Sequence, residues 1–432
     1  MKKSFLKKSV LACAAGIMSL SLLAGCKDKE ATNSNGPVEI EFWYGLGGKL
    51  GDNMKQKIDD FNKSQNEVVV KGIAQADYTE TYQKLQAASA SGETPAVALL
   101  EHATANTLAN KQVLAPLESF IEKDKESSVE DFIPTFLDLG KAKDKQYALP
   151  AYGTTQVLYY RKDMLEKAGI DPSALNTWES LGDAAKKLKE EQGVFGWEPM
   201  WGSLNLIDAS LSAGGKILSN DGKEVMIDSE EWVNTWEFFR KTIHEDKTMR
   251  IHHGGQGWEY WYKTIDDVMQ DRAAGYTGSS GDQGDLDFTK IAAYPQPGWE
   301  DHEAAPQADA QMLVIPAKAS SEQQEAAYKW MKYFTSSEVT ADWSMKTGYI
   351  AVRQSATEVP AYKEFSQKNP QILVPLEQAQ HATPGFIDPT GGKILDALSK
   401  AADKVEIENI PATQALKEAK EEAQKALDEA GK

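Results

Sequence analysis

Three apolar, strand-like runs alternate with two helical ones between Val38 and Leu100, and this alternation constrains the fold more than any other feature of the chain. Val38-Glu39-Ile40-Glu41-Phe42-Trp43 alternates apolar and polar residues, the period of a strand. Gly45, Gly47, Gly48 and Gly51 then make a loop, and Met54 to Asn62 carries Ile58 and Phe61 on one helical face. Val68-Val69-Val70 reads as a second strand, Tyr78 to Ala90 as a second helix and Ala96 to Leu100 as a buried third strand. Strand and helix in alternation predict an α/β domain with a parallel sheet. Ligands of such sheets sit beyond the strand C-termini. The loop after Trp43, the residues before Tyr78 and the strand end at Glu101 therefore share one rim.

A second unit begins near Tyr147-Ala148-Leu149-Pro150. Val157-Leu158-Tyr159-Tyr160 is a predicted strand, and Lys162 to Ala168 a helix stopped by Gly169. Thr177 is a good N-cap for the next helix, although Ser180 stands where a capping box prefers Glu or Gln. Further helices are expected over Glu230 to His244, Thr264 to Gln270 and Gln323 to Phe334, with a buried strand over Met312 to Pro316. Ala412 to Lys432 reads as a charged helix. A body of about 395 residues exceeds the usual single core and argues for two lobes.

The N-terminus carries its own signal. Lys2, Lys3, Lys7 and Lys8 form a basic region, and Val10 to Leu22 is mostly apolar. Leu23-Ala24-Gly25-Cys26 follows, a small-residue cleavage site with a cysteine just after it. This resembles the lipobox of bacterial lipoproteins, which implies a signal peptide over 1–25, diacylglycerol on Cys26 and a tether to the outer face of the cell membrane. Two buried acyl chains hold firmly at about 0.8 kcal/mol per CH₂. The polar stretch 26–37 reads as a flexible tether. The chain has two cysteines, Cys13 and Cys26. With the first cleaved away and the second lipidated, the folded body has no disulfide, no Cys-ligated zinc and no Cys nucleophile. The formal net charge is −18, and loss of the four signal lysines leaves about −22. That balance excludes nucleic acid as a partner, because binding it requires basic grooves.

Eleven Trp and fifteen Tyr are many for a soluble chain, and several cluster in glycine-containing stretches: Trp43-Tyr44, Trp197, Trp201 and Trp258 to Tyr262. Core packing accounts for most of them; those in loops beside polar groups make stacking surfaces for sugar rings. Other motifs fall away. The Gly45 to Gly51 loop lacks the full dinucleotide fingerprint. Adjacent His252 and His253 with Asp246 point apart on a strand and lack further metal ligands. A glycosidase needs two carboxylates at about 5–9.5 Å, and with 65 acidic residues some pair always looks available. No metal, cofactor or catalytic residue is expected.

Five stretches in order resemble the extracellular solute-binding proteins of carbohydrate-type ABC importers. They are Glu41 to Gly45; Leu158 to Asp171 with Asn176 to Leu181; Met269 to Gly281; Trp343 to Arg353; and Asn369-Pro370-Gln371 leading to Thr383-Pro384-Gly385-Phe386. The resemblance implies a two-lobed α/β fold of the periplasmic-binding-protein type II, with a hinge and a ligand cleft between the lobes. It places the first lobe at 38–151 and 310–352 and the second at 152–309 and 353–432. It also implies a monomer that delivers a small carbohydrate-like ligand to membrane permease subunits.

Within that family the glycerol-3-phosphate-binding members are most similar. By that likeness Tyr78, Glu101 and Tyr349 contact ligand, Ser279 and Ser280 form the Gly/Ser turn, and Trp201 matches one of a tryptophan pair. Tyr152-Gly153-Thr154-Thr155 replaces a serine turn, Asp309 stands near a glycine, and Ile387-Asp388 stands where the phosphate-binding arginine follows. A buried dianion without a cation is very costly, and Asp309 and Asp388 facing the cleft would add to that cost. Carboxylates suit neutral polyols, since each accepts hydroxyl hydrogens in fixed directions. The expected ligand is therefore a sugar or short oligosaccharide, with Trp43 and Trp201 stacking on the ring and Glu101, Asp309, Ser279 and Ser280 taking hydroxyls. Arg353 or Lys393 supplying a cation from elsewhere would favour the alternative, a glycerophosphate ligand. A secreted glycoside hydrolase is the alternative from another class.

Overall fold

The computed structural model describes residues 36–125 and 128–431, so the expected signal peptide, Cys26 and nearly all of the expected tether lie outside the described residues. The chain opens with β1 (Val38–Tyr44), α1 (Gly48–Ser64), β2 (Val68–Ala74), α2 (Tyr78–Ser91), β3 (Val97–Glu101) and α3 (His102–Asn110). There follow β4 (Ala148–Thr154), β5 (Gln156–Arg161), α4 (Trp178–Gln192), the two-residue β6 (Glu198–Pro199), α5 (Ser203–Ser212), α6 (Glu230–His244) and α7 (Glu259–Met269). Strands β7 (Gly275–Ser279), β8 (Ile291–Tyr294) and β9 (Gln307–Val314) precede α8 (Ser321–Phe334), α9 (Ser337–Thr347) and α10 (Pro360–Lys368). The short β10 (Thr383–Pro384) leads to the terminal pair α11 (Lys393–Glu406) and α12 (Ala412–Ala430).

Two sheets carry two lobes. In the first, the order β10-β9-β3-β1-β2 is joined by β4 on β9. β1 runs parallel to β2 and β3, as the alternating pattern requires, whereas β9 is antiparallel to β3 and β4. Ile40, Phe42 and Tyr44 point to one side of β1 and are buried, with the Phe42 ring 5.5 Å from Trp330 on α8. The second sheet runs β8-β5-β7-β6. Its helices bury Trp178, Trp197, Trp232 and Trp236 beside Leu398, Val405 and Leu416. Full burial of one such apolar side chain contributes about 1.5–3 kcal/mol. Ala412, Ala415, Ala419 and Ala423 form a small-residue stripe that lets α12 lie closely on Ala397, Ala401 and Ala402 of α11.

Local chemistry explains the helix starts. Thr177 and Ser180 close a reciprocal capping box despite the short Ser180 side chain, with the Ser180 amide 3.2 Å from Thr177 Oγ1 and the Thr177 amide 3.4 Å from Ser180 Oγ. Asp77 caps α2 by accepting from the Glu80 amide at 2.7 Å.

The polypeptide passes between lobes on neighbouring strands. β4 ends at Thr154 in the first sheet and β5 begins at Gln156 in the second. β9 returns beside β4, with Asp309 opposite Thr154. Thr155 Oγ1 donates to the Gln307 carbonyl at 3.0 Å, and Gln378 Nε2 donates to Thr155 Oγ1 and to the Gln156 carbonyl, both at 2.6 Å. Gly153 and Ile350 exchange two backbone hydrogen bonds of 2.8 Å. Three placements differ from the sequence expectation. Tyr152 belongs to the first core, and β9 begins at Gln307, inside the stretch expected in the second lobe. The segment after Arg353 is split. Tyr362 and Ile372 pack with Ala341 of α9, next to the first lobe, and Ile394 onward enters the second core. An Arg353 buried against Phe132 pins that segment where sequence alone offered no contrast.

Candidate ligand-binding site

At the C-terminal rim of the first sheet, strand register brings polar residues together. Gln311 of β9 lies opposite both Glu101 and Tyr152, and Asp309 lies opposite Thr154. His102 opens α3 immediately after Glu101; its Nδ1 pairs with Asp309, and its Nε2 lies 3.0 Å from the Phe386 carbonyl oxygen. Burial alone would push the His102 pKa down, but the charge of Asp309 and the hydrogen bond to it override this and carry it up to about 9. Burial, with Asp309 adding repulsion, pushes Glu101 up to about 7. The Gln311 side-chain oxygen is buried without a hydrogen-bond partner.

An aromatic wall crosses from one lobe to the other. Tyr78 and Tyr152 share a hydroxyl–hydroxyl hydrogen bond of 2.8 Å, and the Tyr152 ring lies 4.4 Å from Tyr349 and 5.2 Å from Trp343. Tyr78 meets Trp258 edge-on at 5.7 Å, Trp258 meets Trp261 at 5.9 Å, and Trp261 meets Tyr260 at 6.2 Å. Trp201 stands edge-on to Tyr260 at 4.8 Å. Burial pushes Tyr260 up to about 12, and the carboxyls of Glu101, Asp77 and Asp282 add to the rise. Asp282 accepts from Trp261 Nε1 at 2.8 Å and from the Tyr276 hydroxyl at 3.2 Å, and burial pushes it up to about 8. Thr154 Oγ1 lies 3.2 Å from Ser279 Oγ and 3.4 Å from Ser280 Oγ. The lobes also touch where Trp258 Nε1 donates to the Gly45 carbonyl at 3.4 Å, and where Lys49 reaches the Gly284 carbonyl at 2.9 Å and Asp285 at 3.3 Å.

The residues expected to bind ligand separate into two groups. Tyr78, Glu101, Tyr152, Ser279, Ser280, Asp309 and Tyr349 come together at this junction, and Trp201 joins through Tyr260, its indole N–H donating to Asp403 at 2.8 Å. Trp43 does not join: its N–H donates to Glu41 at 3.0 Å on the exposed flank of β1. Gly153 serves the backbone, since a Cβ there would lie 2.4 Å from the Phe136 ring. Asp388 does not face the cleft. Its two oxygens accept from the amides of Thr390, Ile394 and Leu395 at 2.8, 2.9 and 3.1 Å and cap α11. Neither suggested cation reaches the site, because Arg353 is buried against Phe132 and Lys393 pairs with Glu429 at 3.7 Å. Sequence reasoning missed His102, Trp258, Tyr260, Trp261, Asp282 and Gln311. The run Trp258 to Tyr262 was conspicuous as aromatic, but its docking over Tyr78 is a long-range contact.

The described residues contain one cluster with metal-like spacing, Glu198, His252 and Asp267. Arg250 pairs with both carboxylates and Arg272 pairs with Asp267, so guanidinium groups already balance this charge. His252 Nε2 donates to Asp267 at 2.7 Å and joins the same hydrogen-bonded network.

Two sheet-based lobes linked by crossing strands, with polar groups and aromatics gathered at their junction, define a two-lobed periplasmic binding protein. Residues 56–373 match the family described as bacterial extracellular solute-binding protein, and the chain belongs to that family. Among curated relatives, the sn-glycerol-3-phosphate-binding periplasmic protein UgpB of Yersinia enterocolitica is 25% identical over 375 residues, covering 82% of this chain and 83% of the relative. Its Escherichia coli counterpart is 24% identical over 373 residues, with the same coverage of both chains. Among solved structures, UgpB from Mycobacterium tuberculosis in complex with glycerophosphocholine has a TM-score of 0.80 at 22% identity, covering 91% of this chain and 99% of that one. The GacH receptor of Streptomyces glaucescens, studied unliganded and with acarbose, has a TM-score of 0.80 at 19% identity and the same coverage. A Listeria monocytogenes ABC substrate-binding protein in complex with cycloalternan has a TM-score of 0.79 at 22% identity, again with 91% and 99% covered.

Proposed function

We propose that this protein captures a sugar or short oligosaccharide between its lobes and hands it to the permease subunits of an ABC importer. The observation that carries this reading is the junction itself: aromatic rings of Tyr78, Trp258 and Tyr260 beside the hydrogen-bond acceptors Glu101, Asp309 and Gln311. Rings stack on the apolar faces of a sugar, and carboxylate and amide oxygens accept its hydroxyl hydrogens. The protein binds without turnover, as a monomer, and the lobes close over the solute by bending at the crossings near Thr155 and Pro306. Relatives with sugar-type ligands in their titles support the saccharide, and the UgpB relatives support a second reading, a glycerophosphate or glycerophosphodiester. Against the second reading, the ion-pair partner of Asp309 is His102, and among the described residues neither Glu101 nor Asp309 forms an ion pair with Lys or Arg.

A thermal-shift screen of sugars, oligosaccharides and glycerophosphates tests this. A ligand at 100 Kd stabilises by about 2.7 kcal/mol, and mass spectrometry after incubation should return it unchanged. Stabilisation by glycerol-3-phosphate alone would support the second reading, and steady conversion of a stabilising sugar would make the protein a hydrolase.

We infer also that the mature chain begins at a lipidated Cys26 and is held at the outer face of the cell membrane through the 26–37 tether. Cys26→Ser should move the protein from the membrane fraction to the soluble one with its solute affinity unchanged. Retention of the variant in the membrane fraction would remove the lipid anchor from this reading.

A further inference from the structure

We propose that the solute carries a protonated nitrogen, as an amino sugar or an amine-bearing oligosaccharide does, and that its ammonium seats against Glu101 and Asp309. The proposal rests on the reading of this cleft as a saccharide site and narrows the class of saccharide.

The argument is an inventory of donors and acceptors. Asp309 spends one carboxylate oxygen on His102 and on the Ala310 amide. Among the described residues, no donor reaches its other oxygen or the Glu101 carboxylate. Gln311, opposite Glu101 on the neighbouring strand and 7% exposed, holds its side-chain oxygen buried without a donor. Among the described residues, His102 is the cation that pairs with this group.

A sugar hydroxyl brings one hydrogen and no charge. An ammonium brings three hydrogens and a full positive charge, so it satisfies several acceptors and offsets the second carboxylate together. The faces of Tyr78, Trp258 and Tyr260 add the ring attraction that cations experience. A phosphate dianion in the same place would be repelled by the carboxylates, and neither Glu101 nor Asp309 has a Lys or Arg partner among the described residues to offset that repulsion.

Calorimetry on the mature chain with one glycan backbone in three forms provides the test: chitotriose with free amines, its tri-N-acetyl form and cellotriose. Glucosamine against glucose gives the same contrast at the size of one ring. The amine member should bind at least about tenfold more tightly than its neutral counterpart, and added salt should weaken it while leaving the neutral members unmoved. Asp309→Asn should cost the amine member roughly tenfold more than it costs the neutral members. A general loss of structure would lower both alike. Equal or tighter binding of a neutral member, or silence of every amine-bearing member, overturns the proposal. In the first case the saccharide reading stands. Glycerol-3-phosphate as the sole ligand overturns both.

Discussion

Arg353→Met should be among the most destabilising single substitutions in this protein, yet it should leave solute affinity unchanged. The guanidinium is buried, with its carbon 4.0 Å above the Phe132 ring. It donates to the carbonyls of Thr335 and Ser128, both at 2.6 Å, and lies 3.7 Å from Asp131. Methionine fills much of the volume but leaves the two carbonyls without their donor and removes the positive charge beside Asp131, which keeps only its hydrogen bonds from Ser355. Breaking a buried charged network by removing one partner costs about 3–5 kcal/mol. Urea unfolding followed by tryptophan fluorescence should show a clearly lower midpoint with an unchanged slope. Calorimetry below the transition should give the wild-type Kd. A normal midpoint with lost binding would instead put this arginine in the cleft, as an anion-binding reading requires.

Gly281→Ala should act in the opposite place. A Cβ on Gly281 would lie 2.2 Å from a carbon of the Tyr349 ring, far inside contact distance. That ring cannot give way easily, because it is buried and lies 4.4 Å from Tyr152. Tyr152 in turn is hydrogen-bonded to Tyr78. One added methyl group therefore pushes on three rings of the aromatic wall and on the turn that presents Ser279 and Ser280. Overpacking of this kind costs about 1–3 kcal/mol in stability. Displacement of the wall should cost at least about tenfold in solute affinity, since groups misplaced by even 1 Å bind poorly. Gly36→Ala, where a Cβ meets nothing within 4 Å, is the silent control. Wild-type affinity in Gly281→Ala would remove the Tyr349 ring and the 279–281 turn from the ligand site.

The fold was legible wherever burial has a period. The alternation in β1 and the apolar runs at Val68 and Ala96 gave parallel strands because a two-sided sheet leaves no other arrangement for them. Tyr78, Glu101 and Tyr349 were legible through likeness to relatives, and the structure gathers them with Tyr152 and Asp309. Contacts made across the cleft were not legible. Nothing local to Trp258 says that it meets Tyr78, 180 residues earlier in the chain. His102 was overlooked although it follows Glu101 directly, because its role depends on Asp309, which only strand register brings near. Asp388, weighed from sequence only for the cost it would add if it faced the cleft, has a local role, an N-terminal helix cap with Thr390 two residues on. Trp43, expected to stack on a sugar ring, lies partly buried on the Glu41 side of β1 because strand alternation puts it there.

The crossings limit how this molecule can move. β4 and β9 leave the first sheet side by side, cross-linked by ladder hydrogen bonds and by the Thr155, Gln307 and Gln378 contacts. Two joined strips behave as a leaf spring. They flex readily about the axis lying across both, whereas twisting or sliding one strip past the other would strain every bond between them. Bending about that axis is therefore the easiest motion these two strips allow. A closure that bends both strips follows the same arc with or without a solute to guide it.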